Sequence, residues 1–173
     1  MNELYNVVFV KEGYFRNNKN FIEMLDHNKP QKQSRRHYVF LQVQYKNNNI
    51  LIPLRSKLRT NKGVGVIGFP VPSEKLPDAG LDYRKMLIIN DTSYIEKPKH
   101  TRIPKSQQKI LQNNYHKIKE EVTAYIKGYI KSALKNREKK DKKYIFSSLH
   151  NYHQELGILE VLEAREEAAS TKE

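Results

Sequence analysis

The sequence predicts a single α+β domain, and three observations carry that prediction. Apolar and polar residues alternate along HYVFLQVQY, residues 37–45, which is the period of a strand. Three asparagines follow at 47–49, and asparagine accepts the left-handed backbone of a tight turn. From residue 106 the apolar period lengthens to steps of three and four, which is helical. Residues 1–98 are therefore strand-rich, 105–168 helix-rich, and 169–173 a frayed tail. One domain, 1–173, is the expected organisation for 173 residues, long enough to bury a core.

In chain order, LYNVVFV (4–10) reads as a first, buried strand, and FIEML (21–25) as a short helix with Phe21, Ile22 and Leu25 on one face. The polar stretch DHNKPQKQS (26–34) reads as a mobile connection. The central strand then presents Val39, Leu41, Val43 and Tyr45 on one side and Gln42 and Gln44 on the other. A turn at Asn47–Asn49 leads to the return strand ILIPL, whose Pro53 suits an edge or a strand end. NKGVGVIG (61–68) reads as a strand that bends or approaches another backbone closely. Its GxG lacks the third glycine and the following helix of a dinucleotide fingerprint. PVPSEKLP (70–77) is a loop, KMLII (85–89) a short apolar strand, and Asn90-Asp91 a turn.

Beyond Pro104, Ser106 serves as N-cap of a long helix. Its apolar face is Leu111, Tyr115, Ile118, Val122, Tyr125, Tyr129 and Ala133, with Ile126 and Ile130 beside it. A second helix is expected from Asp141, carrying Tyr144, Ile145, Leu149, Tyr152 and Leu156 and stopping at Gly157. The acidic stretch after Gly157 has a helical pattern.

Composition narrows the function. Cysteine is absent, which excludes disulfides, thiolate nucleophiles and Cys-containing zinc sites. No apolar run is long enough to span a bilayer, so a soluble, cytoplasmic protein without membrane partners is expected. The net charge of +13 and a pI of about 9.7 point to nucleic acid first and an anionic membrane second. Eleven tyrosines and six phenylalanines offer rings for stacking on unpaired bases. Lys- and Asn-rich composition alone is equally compatible with a basic protein that touches no nucleic acid.

Chemistry concentrates at the end of the return strand, where Ser56 lies between Arg55 and Lys57. A hydroxyl between two cations suits a phosphate. His150 and His153 are three apart, a metal-compatible spacing, yet no third ligand is evident in sequence and a structural role is expected. His37 could move protons near neutral pH but has no sequence partner, and is also read as structural. The run 131–143 holds seven basic residues against Glu138 and Asp141; it is either a solvated helix end or a phosphate-tracking patch. No serine-hydrolase elbow, P-loop or kinase signature is present. A sheet-based RNA binder and a metal-independent ribonuclease both remain open.

The stretch Ile52-Pro53-Leu54-Arg55-Ser56-Lys57 resembles the apolar-Pro-Leu-Thr-Ser-x-Lys segment of the ToxN/AbiQ family, endoribonuclease toxins of type III toxin–antitoxin systems. RHYVFLQV (36–43), FVKEGYF (9–15) and GLDYRKMLIIN (80–90) are similar to further family segments, in the family's order. Three departures are plain: Arg55 replaces the family threonine, the family lysine two places after the serine falls on Leu58, between Lys57 and Arg59, and the family lysine before the central strand is here Arg36, with Arg35 as a competitor.

The resemblance implies a twisted antiparallel β core of MazF/Kid type with flanking helices. It also implies metal- and cofactor-free RNA cleavage by the adjacent 2′-OH, leaving a 2′,3′-cyclic phosphate. The implied partners are a cognate RNA antitoxin of pseudoknotted repeats, in a closed toxin–RNA assembly, and cellular or phage RNA as substrate. Ser56 would orient the nucleophile or phosphate, Lys57 would stabilise charge, Arg55 and Arg36 would bind phosphate, and Tyr14 would stack or hydrogen-bond. Arg35, Arg59, Lys62, Lys139, Lys140, Lys142 and Lys143 are the further candidate RNA-binding cations. A non-catalytic RNA-binding protein is the alternative, and a structural or ribosome-associated basic protein a third.

Overall fold

The computed structural model of the chain describes residues 5–100 and 102–171. The first strand, β1 (Tyr5–Val10), runs into a short helix, α1 (Glu12–Asn17), and a second one, α2 (Pro30–Ser34), precedes the central hairpin. Both helices differ from expectation. The helix expected at 21–25 lies earlier, at α1, where Tyr14 and Phe15 are the buried residues. The expected mobile connection holds α2, started by Pro30, whose fixed φ is pre-set for a first helical position.

The hairpin pairs β2 (Tyr38–Tyr45) with β3 (Asn48–Arg55), with Tyr38 opposite Pro53 and Leu41 opposite Ile50. Its turn is Lys46-Asn47, both at positive φ, one residue earlier than the three asparagines suggest. A two-residue loop with both residues left-handed matches the twist of the flanking strands, so Asn48 and Asn49 already belong to β3. A register shift between Leu41 and Tyr45 interrupts the pairing.

Four short strands follow: β4 (Thr60–Asn61), β5 (Gly65–Val66), β6 (Gly68–Pro70) and β7 (Gly80–Asp82). The expected close backbone approach is at Gly68, where a Cβ would stand 2.1 Å from the Leu81 carbonyl oxygen. Of the expected strand 85–89, only Leu87–Ile88 pair as a strand, β8, and a 3₁₀ turn occupies Tyr83–Lys85. With β9 (Ile95–Glu96), the antiparallel sheet runs β6-β7-β3-β2-β1-β9, and β8 also pairs with β3. Pro53 is thus inside a central strand. It is tolerated because β8 takes Ile50 and Leu51 while β7 takes Leu54 and Arg55, leaving the missing donor at the changeover.

Beyond the sheet, the expected long helix is two: α3 (Lys105–Asn113) and α4 (Tyr115–Ala133). Asn114 breaks it, its side-chain Nδ2 and backbone N both donating to the Ile110 carbonyl. The first helix begins after Pro104, so Ser106 is not the cap. The predicted apolar face is buried in full, from Leu111 to Ala133.

Residues 141–157 are turns with a 3₁₀ segment, Ser148–Asn151, and not a helix. Ser147 Oγ accepts from the Leu149 amide, a local bond that competes with a helical one. Gly157, at φ 70°, opens α5 (Ile158–Ser170) and ends no helix. Residues 169 and 170, expected frayed, are in α5, and 172–173 lie outside the described residues.

The alternation of β3 feeds two cores. Ile50 and Ile52 join Leu111, Ile118, Val122 and Ile126 of the helical layer. Leu51 joins Val8, Val10, Tyr14, Phe15 and Tyr38 on the other face. The 146–157 segment locks onto both ends of the sheet sequence. Tyr152 hydroxyl meets Tyr14 hydroxyl at 2.8 Å, Ser148 Oγ donates to the Met86 carbonyl at 2.5 Å, and Asn48 Nδ2 donates to the Glu155 carbonyl at 2.8 Å. Asn151 and Ile22 exchange two further bonds. The architecture is a mixed α+β fold around an antiparallel sheet, and among the described residues no helix is long and apolar enough to cross a membrane.

Candidate functional site

Hairpin register brings the chemistry together. Residues just before β2 must lie beside those at the end of β3, and the Leu54 amide donates to the His37 carbonyl at 3.0 Å. Arg35, Arg36 and His37 therefore share a cleft of about 390 Å³ with Arg55 and Ser56. The chain entering α3 closes it with Arg102, Ile103, Pro104 and Gln107. A neighbouring hollow of about 480 Å³ shares Arg35 and Arg102 and adds Phe9, Lys99 and His100.

The cations of the cleft are of two kinds. Asp26 binds Lys32 at 2.6 Å and Arg36 at 2.5 Å. Asp82, fully buried, accepts from Arg55 at 2.7 Å and holds Arg84 through both carboxylate oxygens, each at 3.0 Å. Arg36 and Arg55 are consequently fixed in place. Arg35 and Arg102 are exposed and pair with no carboxylate among the described residues, so their guanidinium forks are available to a phosphate.

His37 stands between these groups. Its ring packs against Phe9 at 4.8 Å, and its Nε2 is sequestered with no hydrogen-bond partner among the described residues. Burial, and then the Arg102 charge, hold its pKa below the ordinary 6.5. The ring is neutral at neutral pH and able to accept a proton.

The predicted residues divide accordingly. Arg35, Arg36, Arg55 and Ser56 meet in the cleft, with Ser56 exposed to an incoming ligand. Lys57 is exposed next to it, and Arg59 is exposed further along; neither lines the cleft. Lys62 is at the tip of the β4–β5 hairpin, where Lys142 Nζ comes within 4.0 Å of the Cβ position of Gly63. Lys139, Lys140, Lys142 and Lys143 are exposed, Lys143 lying over the Tyr144 ring at 5.7 Å, and none lines the cleft.

Tyr14 does not join them. It is 6% exposed, bonded to Tyr152, and burial pushes its pKa up to about 12. It is a core residue, poorly placed to stack on a base or to take a proton.

Arg102 and Gln107 reach the cleft unannounced by sequence, because they arrive by long-range packing. His37 is visible in sequence, and its value appears only when Phe9 and Arg102 surround it. Compared with known proteins, the chain matches no family model, no curated protein and no solved structure. Chemically, the cleft combines free guanidinium groups, an exposed hydroxyl and a neutral imidazole, which suits phosphate binding with proton transfer.

Proposed function

We propose that this protein is a metal-independent endoribonuclease that works in the cleft between β2, β3 and the start of α3. The observation that carries this reading is an exposed Ser56 in one cleft with the unpaired Arg35 and Arg102, with His37 in the lining of the same cleft. His37 takes the proton of the 2′-OH, the 2′ oxygen attacks phosphorus, and the bond to O5′ breaks. Water at the open mouth of the cleft supplies the proton that O5′ needs, Lys57 beside it adds positive charge, and the products are a 2′,3′-cyclic phosphate and a 5′-hydroxyl. Arg35 and Arg102 stabilise the charge gathering on the non-bridging oxygens, and Ser56 orients the phosphate. Arg36 and Arg55, held by their aspartates, frame the site.

The antiparallel sheet and the segment resemblance support a wider reading. The core is of MazF/Kid type, the protein belongs with ToxN/AbiQ toxins in the cytoplasm, and a repeat-containing RNA antitoxin holds it inactive in a closed assembly. Its targets are cellular or phage transcripts.

The test is RNA-end mapping with purified protein and no added divalent ion, beside induction in bacteria with and without the DNA upstream of the gene. Discrete cuts ending in cyclic phosphate are expected. Ser56→Ala and His37→Ala should each slow cutting, His37→Ala by about 10²–10⁴-fold, with RNA still bound. Tight binding by the unaltered protein without any cutting would establish the non-catalytic RNA binder instead.

A further inference from the structure

Near the end of α4, Tyr129 aims its hydroxyl at two imidazoles, 2.8 Å from His150 Nδ1 and 2.7 Å from His153 Nε2. The third ligand that the sequence does not reveal is brought in by the fold. Glu138, from the middle of the basic run, offers a carboxylate oxygen, and its ligating atom and those of the two histidines lie within 4.8 Å of one another. Glu138 is only 7% exposed. Its Oε2 is shut off from water and has no hydrogen-bond partner among the described residues. Burying a carboxylate oxygen unsatisfied is costly, and such an atom calls for a positive partner. No cation of the surrounding run pairs with it among the described residues.

We propose that Glu138, His150 and His153 bind a zinc ion. Two imidazoles and one carboxylate are a donor set that Zn²⁺ takes readily. The second nitrogen of His150, Nε2, lies 3.3 Å from the Ile145 carbonyl. Donation there leaves the Nδ1 lone pair facing the site, the outer-shell bond that orients a ligating imidazole. Bonds of about 2.0–2.1 Å place tetrahedral ligands roughly 3.4 Å apart, a modest closure from the present spacing. The Tyr129 hydroxyl is too close to both nitrogens to be a fellow corner ligand; it stays in the outer shell, and water takes the fourth position. Bound there, the ion ties the basic run to the 3₁₀ turn and the residues just after it. None of the four residues lines the basic cleft, so the proposal stands apart from the cleavage reading.

The test uses tag-free, full-length protein stripped with a chelator and titrated with ZnCl₂ against a chromophoric competitor. One zinc per chain is expected, with a raised unfolding temperature and slower tryptic cleavage within 131–143. Glu138→Gln and His153→Ala should weaken binding by more than the roughly 10–100-fold typical of outer-shell changes. Co²⁺ read on the unaltered chain needs no variant to fold, and a tetrahedral ligand-field spectrum is expected. Absence of one-to-one binding, an octahedral aqua-like Co²⁺ spectrum, or unchanged affinity in folded Glu138→Gln overturns the site.

Discussion

Behind the arginines of the cleft, two carboxylates are each shared by two cations: Asp26 by Lys32 and Arg36, Asp82 by Arg55 and Arg84. In the run 131–143, seven cations surround Glu138 in sequence, and it turns inward to two imidazoles. The acids behind the cleft decide which arginines are scaffold and which stay free for a ligand. The acid of the run leaves its lysines solvated. A net charge counts these cations alike, while their positions relative to carboxylates separate them into framework, ligand-binding groups and solvated surface.

The most damaging way to disturb this arrangement is Asp82→Ala. Arg84, whose side chain is 7% exposed, would lose its partner, and breaking a buried pair in this way costs about 3–5 kcal/mol. Urea unfolding should show that loss, against a smaller cost for Asp26→Ala, whose Lys32 is largely solvated and whose Arg36 keeps 20% of its side chain in water. Equal costs would erase the distinction between the two acids.

A second comparison concerns RNA affinity against salt. Removing Arg35 and Arg102 together should flatten the logarithmic salt slope by about 1.4, the single-strand value for two phosphate contacts. Removing Lys139 and Lys140 should leave the slope nearly as it was. The reverse result would make the basic run the principal RNA surface.

The smallest expected effect is on pH dependence. His37 must be neutral to accept a proton, and its pKa is depressed by burial and by Arg102, so cutting should decline only as pH falls below 6.5. Arg102→Ala removes the like charge and lets that pKa rise, so the acid limb of the pH–rate profile should move to higher pH. A shift to lower pH, or none, would separate His37 from the reaction.

Much of the fold was legible because local periods coincide with burial. The helical face from Leu111 to Ala133 follows from spacing and is buried; the strand at 38–45 and the turn residue Asn47 follow from spacing alone, and the sides expected for the side chains of 41–44 lie outside what the structure describes. The stretch 141–157 misled for a physical reason: its apolar spacing is helical, but the Ser147 side chain captures the Leu149 amide that a helix would use. For the site, hairpin register makes the nearness of Arg36, Arg55 and Ser56 readable. Arg102 arrives from a distant segment, and Glu138 is hidden among cations, so neither has a local signature. Tyr14 illustrates the opposite limit, since a residue can match a motif and still be held in the core by a partner 138 positions away.

The bonds from the 146–157 segment to Tyr14, Ile22, Asn48 and Met86 also set a schedule for synthesis. At roughly 5–20 residues per second, a ribosome emits the last strand several seconds before it emits these partners. During that interval the sheet lacks the packing that completes its faces, and contacts so far apart in sequence form late. A message broken before codon 148 therefore yields a chain that cannot assemble this core. Synthesis through that segment is itself the condition for a finished core.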